Sequence, residues 1–333
     1  MDLIPEEPQV SIQEPVLELP PPEPPEPAEM DRDEARRRFS RIGFALLAVV
    51  AVQQLGSMAV AALTAGPAWR DSAWRPVLAS ILPLYLVGLP VFLLILRGQR
   101  PMPRPGEKRR VPGKLLAQLI FAGYAAVLLS NVVIVLGLYP LLGALKGGRV
   151  ANPVASLVLG GNPWAVLPFA VVIGPMVEEY VFRGVLLKHL GAFGAKPYLL
   201  FSALTFALFH ANLAQMPYAF ALGLILAGLT YYSGTIKYAV IAHMAVNFVG
   251  SALPTLLLRL VGDAATLAIG VEVAVLAGAG IASVILLLRK RERLANALEP
   301  AAVTLPRGVM ARNAGVVAFI AVLAALTVVL LVV

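Results

Sequence analysis

The chain has 333 residues, 59% of them hydrophobic and only 14% charged, with a mean hydropathy of +0.81. A soluble domain of that length cannot hide so much apolar surface, and repeated apolar runs of about 20 residues specify a polytopic helical membrane protein. The absence of cysteine excludes disulfides, thiolate metal ligands and a cysteine nucleophile, while the distribution of the +8 net charge points to topology and anionic lipid, not nucleic acid.

The first thirty residues contain no Lys or Arg and no apolar core, so they do not read as a cleavable signal peptide. Their P-P-P-E-P-P-E-P run cannot bury a core. Residues 1–40 are therefore expected to be a disordered Pro/Glu-rich tail followed by a basic juxtamembrane segment. Nine spans follow, near 42–65, 77–96, 115–143, 165–190, 197–212, 216–234, 238–257, 264–288 and 314–333. The fold class is thus all-α, a transmembrane bundle of about nine helices. Residues 41–160 form the N-terminal helices, 161–257 a core and 258–333 the C-terminal helices. With the N-terminus inside and the spans alternating, 21 basic residues fall inside and five outside, leaving Arg183 in a span. That bias follows the positive-inside rule and predicts a multi-pass integral membrane protein with a cytoplasmic N-terminus, in the inner membrane if bacterial. No inverted repeat of the transporter kind is visible.

The fourth span carries E-E-Y-V-F-R, with Glu178, Glu179 and Arg183. Residues four apart share a helix face, so Glu179 and Arg183 are expected to pair, while Glu178 points elsewhere without a basic partner at i+3 or i+4. The fifth span carries Phe206 and His210, four apart, and the seventh His243 and Asn247, again four apart. Taken singly, each feature has a structural reading: a buried ion pair with a spare protonated carboxylate, or a histidine or asparagine bonding across helices. Phe206 alone is core. Together, one unpaired Glu, two His and an Asn on three spans are the parts needed to activate water and hold an oxyanion.

Other hydrolytic signatures fail. The residues after His189, His210 and His243 are Leu, Ala and Met, which excludes H-E-x-x-H. No G-x-S-x-G lies in a span, and Asp263 has no intramembrane aspartate to match it. Glu272, alone in the eighth span, has no assigned role.

The ordered motifs E-E-x-x-x-R, F-x-x-x-H and H-x-x-x-N, with F-R-G-V-L-L and G-L-I-L-A-G-L beside them, resemble the CPBP family of CAAX prenyl endopeptidases and bacteriocin-processing or self-immunity (Abi) membrane proteins. The resemblance covers roughly residues 160–257. It implies an intramembrane endopeptidase acting on a membrane-associated, CAAX-type or bacteriocin-like substrate. By position, Glu178 would activate the water with help from His210, His243 and Asn247 would hold the oxyanion, and Glu179, Arg183 and Phe206 would support. Family members are described as metal-dependent and as glutamate-dependent. No cofactor is favoured here; the alternative is a divalent metal such as zinc on Glu178, His210 and His243. Expected partners are membrane lipids and a membrane-bound peptide or protein, with no nucleic acid. The rival readings are a non-catalytic immunity or scaffold protein of the same fold and a proton-coupled transporter. Counting residues places Glu178 mid-span and His210 nearer the outer side, so the site can form only if the fifth span is short, tilted or set deep.

Overall fold

The computed structural model describes residues 26–69, 72, 74–148, 150, 163–260 and 262–332. The expected Pro/Glu tail lies, up to residue 25, outside the described residues, as do Arg70 and Arg149 of the outer basic set. Eight helices among the described residues are long and apolar enough to cross a membrane: α1 (Arg32–Leu63), α2 (Val77–Leu96), α3 (Gly113–Lys146), α4 (Pro163–Phe193), α6 (Met216–Ser233), α7 (Lys237–Arg259), α8 (Ala265–Arg289) and α10 (Ala314–Leu331). Between α4 and α6 lies the shorter apolar α5 (Ala195–Phe209), and a short helix, α9 (Arg291–Asn296), follows α8. The only strands among the described residues are β1 (Ala28–Glu29) and β2 (Val303–Thr304), one parallel two-residue pair.

One boundary differs from expectation. The first helix begins at Arg32, ten residues before the apolar run, because its basic prefix is helical too. Asp31 caps it, its carboxylate accepting from the Asp33 and Glu34 amides at 3.1 and 3.0 Å. Asp33 and Glu34 then sit in the first turn, where the helix dipole favours them.

Five stretches have the widened i→i+5 turn: Pro83–Gly88 in α2, Val132–Leu138 in α3, Phe169–Ile173 and Tyr180–Val185 in α4, and Phe248–Ala252 in α7. Four have one cause. A helical proline clashes with the carbonyl four residues earlier and offers it no N–H. Pro90, Pro140, Pro175 and Pro254 each place that carbonyl inside the widened turn before them. Widening relieves the clash without ending the helix, so α3 runs on through Pro140 to Lys146. Pro83 acts likewise on Ala79, whose carbonyl accepts from Ser57 Oγ of α1 at 2.7 Å. The fifth, Tyr180–Val185, is followed by no proline within its helix.

The main core joins Phe39, Ile42 and Leu46 of α1 to Phe92 of α2, Phe182 and Leu186 of α4, Phe201 and Phe206 of α5 and Phe319 of α10. A second core joins α3, α6 and α7 through residues such as Leu222, Leu226 and Val246. In contrast, α8 turns Leu267, Val271 and Val275 outward, as a lipid-facing helix does. The ends carrying the basic loops gather at one end of the bundle. Arg38 reaches the carbonyls of Arg100 and His189, Arg36 that of Arg312, and Arg109 donates its backbone N–H to Ser233 and its side chain to Ala297.

Helix α10 is held by close backbone contact. A Cβ on Gly315 would fall 1.8 Å from the Ser40 carbonyl oxygen, and one on Gly43 2.3 Å from the Gly315 carbonyl carbon. Small residues at such a crossing let helices approach where lipid offers no hydrophobic drive. Gly315→Ala must therefore separate α1 from α10. It should lower the midpoint of thermal unfolding in detergent, whereas Gly278→Ala, with open space around it, should leave the midpoint unchanged. Heating both variants and reading the folded fraction by size exclusion checks this; equal midpoints would refute the close crossing.

Candidate active site

The site is built around α4. Glu179 and Arg183 are fully buried, and Arg183 Nη1 lies 3.0 Å from Glu179 Oε1. The pair falls at and just inside the widened turn Tyr180–Val185. Helix α5 anchors that turn with two hydroxyls: Ser202 Oγ donates to the Phe182 carbonyl at 2.7 Å and Tyr198 OH to the Arg183 carbonyl at 3.1 Å. The guanidinium stacks 4.1 Å above the Phe206 ring of α5, a cation–π contact in a dry site. Its Nη2 points to the Gly223 carbonyl of α6 at 3.5 Å, and a Cβ on Gly223 would lie only 3.3 Å from that nitrogen. The same Cβ would lie 3.1 Å from Ala203 Cα, so glycine at 223 lets α6 approach both α5 and the arginine closely.

Helix α7 contributes His243. Its Nδ1 stands 2.9 Å from Glu179 Oε1 and its Nε2 3.8 Å from Glu178 Oε2. A carboxylate only accepts, so Nδ1 carries the proton, and Nε2 donates only in the imidazolium form. Glu179 thus binds two cationic or donor groups with one oxygen, while Glu178, 29% exposed, faces the other edge of the same imidazole. One turn on, Asn247 Nδ2 donates to the Ala170 carbonyl at 2.9 Å, within the widened turn Phe169–Ile173. One of its two N–H bonds is therefore spent on tying α7 to α4.

His210 lies immediately after α5, which at 15 residues is about 22 Å long against a hydrocarbon core of about 30 Å. Nδ1 of His210 donates to the Phe206 carbonyl at 2.8 Å, leaving Nε2 as an acceptor. The next residue, Ala211, has φ +45°, the only positive φ among described non-glycine residues. Asn212 supports this turn, its Oδ1 accepting from the Ala214 amide at 3.0 Å. Phe206 brings the histidines together: both imidazoles meet its ring edge-on, with centroids 4.8 Å away for His210 and 5.7 Å for His243.

Arg183, His210 and His243 thus meet at the Phe206 ring and Glu178 and Glu179 at the His243 imidazole, while Asn247 is placed by its bond to Ala170. Among the described residues no group of three His, Asp or Glu side chains converges as a metal site, Glu178, His210 and His243 included. Sequence reasoning missed Tyr85 of α2. It shares with Glu178 the lining of a cavity of about 30 Å³, otherwise walled by apolar side chains such as Leu46, Phe92 and Phe209. A Cβ on Gly174 would meet the Phe169 carbonyl oxygen at 2.8 Å and lie in ordinary contact with the Tyr85 hydroxyl and Glu178 Oε1 at 3.5 and 3.8 Å, so this glycine serves the widened turn Phe169–Ile173 beside both groups. Nothing in its spacing separates Tyr85 from the other eight of nine tyrosines. Glu272 sits on α8 with both oxygens buried and without a hydrogen-bond partner.

Residues 160–249 match the family described as type II CAAX prenyl endopeptidase Rce1-like. The chain is also 27% identical over 173 residues to the membrane-embedded CAAX protease MroQ of Staphylococcus aureus (strain USA300), a match covering 49% of this chain and 68% of that protein. No solved structure matches it. These matches and the bundle of apolar helices support the resemblance of the motifs to the CPBP family of intramembrane proteases.

Proposed function

We propose that this protein is a glutamate-dependent intramembrane endopeptidase that cuts a membrane-associated peptide or protein, and that Glu178 is its general base. The observation that carries this reading is the division between the two glutamates. Glu179 is fully buried and committed to Arg183 and His243, while Glu178 is partly exposed and approaches His243 at 3.8 Å without a hydrogen bond among the described residues. Two atoms 3.8 Å apart can both hold one water at about 2.8 Å from each. Glu178 takes a proton from that water as its oxygen adds to the scissile carbonyl carbon. The C–N bond then breaks, and the proton on Glu178 passes to the leaving amine. His210 Nε2 helps orient the water. The oxyanion is held by His243, which can donate from Nε2 only when both ring nitrogens carry protons, and by the second N–H of Asn247. Phe206 and Arg183 keep the imidazoles in place. No step is routed through a metal. The bundle end that carries the basic loops faces the cytoplasm, the N-terminus with it; reporter fusions within 97–114 and 289–313 should read cytoplasmic, and a periplasmic or external signal would reverse the topology.

The glutamates should fail differently. Glu178→Gln should abolish cleavage of a membrane peptide and leave thermal stability unchanged. Glu179→Gln strands Arg183 in a dry site and releases His243, so it should cost about 3–5 kcal/mol of stability besides activity. Paired measurements of cleavage and thermal midpoint check this. Equal loss of activity at equal, unchanged stability would contradict the assignment.

Asn247→Ala separates chemistry from packing. The oxyanion role predicts a turnover number lower by about 10²–10³ with the Michaelis constant near its original value. Loss of the bond to Ala170 alone would remove about 1 kcal/mol of stability and leave turnover intact. Normal turnover with a lowered midpoint would return Asn247 to helix packing.

A further inference from the structure

At the end of the bundle that carries the basic loops, an open cleft of about 1050 Å³ lies between α2 and α4. Its walls at Pro90, Leu93, Leu94 and Tyr180 are exposed. Its mouth carries Arg97, Arg100 and Lys188, also exposed, and no acidic residue lines it. Among the described residues these three cations have no ion-pair partner, whereas Arg38 faces Glu34, and Arg104 and Arg109 share Glu299. The backbone beneath them is clamped. Arg41 of α1 donates to the Ile95 and Arg97 carbonyls at 2.5 and 2.7 Å, and Arg38 to the Arg100 carbonyl at 2.7 Å. The result is a fixed patch of unneutralised positive charge beside exposed apolar surface.

The complementary anion is in the same chain. Residues 1–25 hold six acidic side chains, Asp2, Glu6, Glu7, Glu14, Glu18 and Glu23, and no Lys or Arg. Apolar residues stand among the acids, as in the run E-P-V-L-E-L from Glu14 to Leu19. The described chain begins at Glu26, and it begins beside the cleft. A ladder of backbone bonds leads from one to the other. The Ala28 amide donates to the Ala302 carbonyl, Ala302 to Ala192 and Ala192 to Met102, each at 2.9 Å, and Met102 to Lys188 at 2.7 Å. Chains bonded in this way lie about 4.8 Å apart, so Ala28 stands within about 15 Å of the loop that bears Arg97 and Arg100. Ten extended residues cover about 33 Å, so the tail reaches the mouth with chain to spare.

We infer that the chain's own acidic segment, residues 1–25, docks on this mouth, its carboxylates on Arg97, Arg100 and Lys188 and its apolar side chains on the exposed walls. The tether makes weak contacts sufficient. A segment anchored this close has an effective concentration near the millimolar range, so a few exposed ion pairs hold it there much of the time. Such contacts are screened by salt and open readily. The tail is therefore a built-in cover for the cleft, displaced by whatever binds the mouth more tightly. The inference is independent of the proposed cleavage, since it concerns only where the tail lies.

The test uses the full-length chain in nanodiscs of neutral phosphatidylcholine. The chain has no cysteine, so each engineered pair reports without background. Ser11→Cys in the tail is paired either with Pro101→Cys at the mouth or with Asn296→Cys on α9, exposed at the same end beside Arg291 and Arg293. Under mild oxidation the 11–101 disulfide should form about tenfold faster than the 11–296 disulfide, a ratio that three exposed ion pairs supply. Arg97→Gln/Arg100→Gln/Lys188→Gln should erase the difference, and so should about 1 M salt, where the screening length is about 3 Å. Replacing the six tail acids by amides should erase it too, and should quicken the labelling of Pro101→Cys alone by a charged maleimide. Equal disulfide rates at 101 and 296, or a difference that survives the triple variant, would overturn the inference. Equal rates together with enrichment of phosphatidylglycerol that depends on Arg97, Arg100 and Lys188, read in mixed nanodiscs, would overturn it too and assign the mouth to lipid headgroups.

Discussion

The buried ion pair between Glu179 and Arg183 is the interaction on which the rest of the site depends. A lone charge in the bilayer interior is too costly to keep, so this pair is held together, although Glu179 Oε2 and Arg183 Nε stay buried without a hydrogen-bond partner. Here the partners come from every neighbouring helix. Glu179 and Arg183 belong to α4, Phe206 of α5 covers the guanidinium, Gly223 of α6 offers a carbonyl, and His243 of α7 shares the carboxylate oxygen. Four helices are thereby registered at one depth by polar contacts, which lipid-facing leucines cannot do because apolar packing slides at little cost. The neutralised pair also sets the histidine. With Nδ1 fixed by Glu179, the other edge of the ring is aimed at Glu178 without any need for Glu178 to bond it tightly.

The backbone shows the same division between structural and functional causes. Four widened turns are explained by a proline whose ring would collide with the carbonyl four residues back. Tyr180–Val185 has no such proline, and it is the turn that carries Arg183. Its carbonyls at 182 and 183 are bonded by Ser202 and Tyr198. The cause of this turn is thus the tertiary network: hydroxyls from α5 on one side and the buried pair on the other. Widened turns of this kind gather at functional sites because they re-aim a side chain while the helix continues.

Much of this was legible in the sequence because it is local. Apolar runs of about 20 residues fixed the spans to within a few residues, except where Asp31 and the acidic first turn extended α1 into its basic prefix. The 179–183 spacing announced the ion pair. Contacts across many residues left no trace of that kind. His243 reaches Glu179 over 64 positions and Asn247 reaches Ala170 over 77, and the second ends on a backbone carbonyl, which every residue has. Phe206 read as core, and it is buried. Its function as the ring that both histidines and Arg183 share depends on where three other helices bring their side chains. Tyr85 enters through α2, outside the stretch that carries the motifs.

The depth of His210 shows how a membrane constrains such a site. A helix that crossed fully would carry His210 toward the far interface, away from Glu178 in mid-span. A short α5 would avoid this, and its end has backbone groups to satisfy, since unpaired N–H and C=O groups are costly away from water. The chain meets that cost with side chains and a strained turn. His210 bonds the Phe206 carbonyl, Ala211 takes the left-handed conformation that an alanine seldom adopts, and the Asn212 carbonyl accepts from the Gln215 and Met216 amides at 2.9 Å as α6 begins. Strain persists in a structure only where its surroundings over-determine it. The surroundings here are the Phe206 ring beneath and the start of α6 above. The bond that closes the short helix is therefore also the one that fixes the His210 tautomer, with Nδ1 spent on the Phe206 carbonyl and Nε2 left as the acceptor.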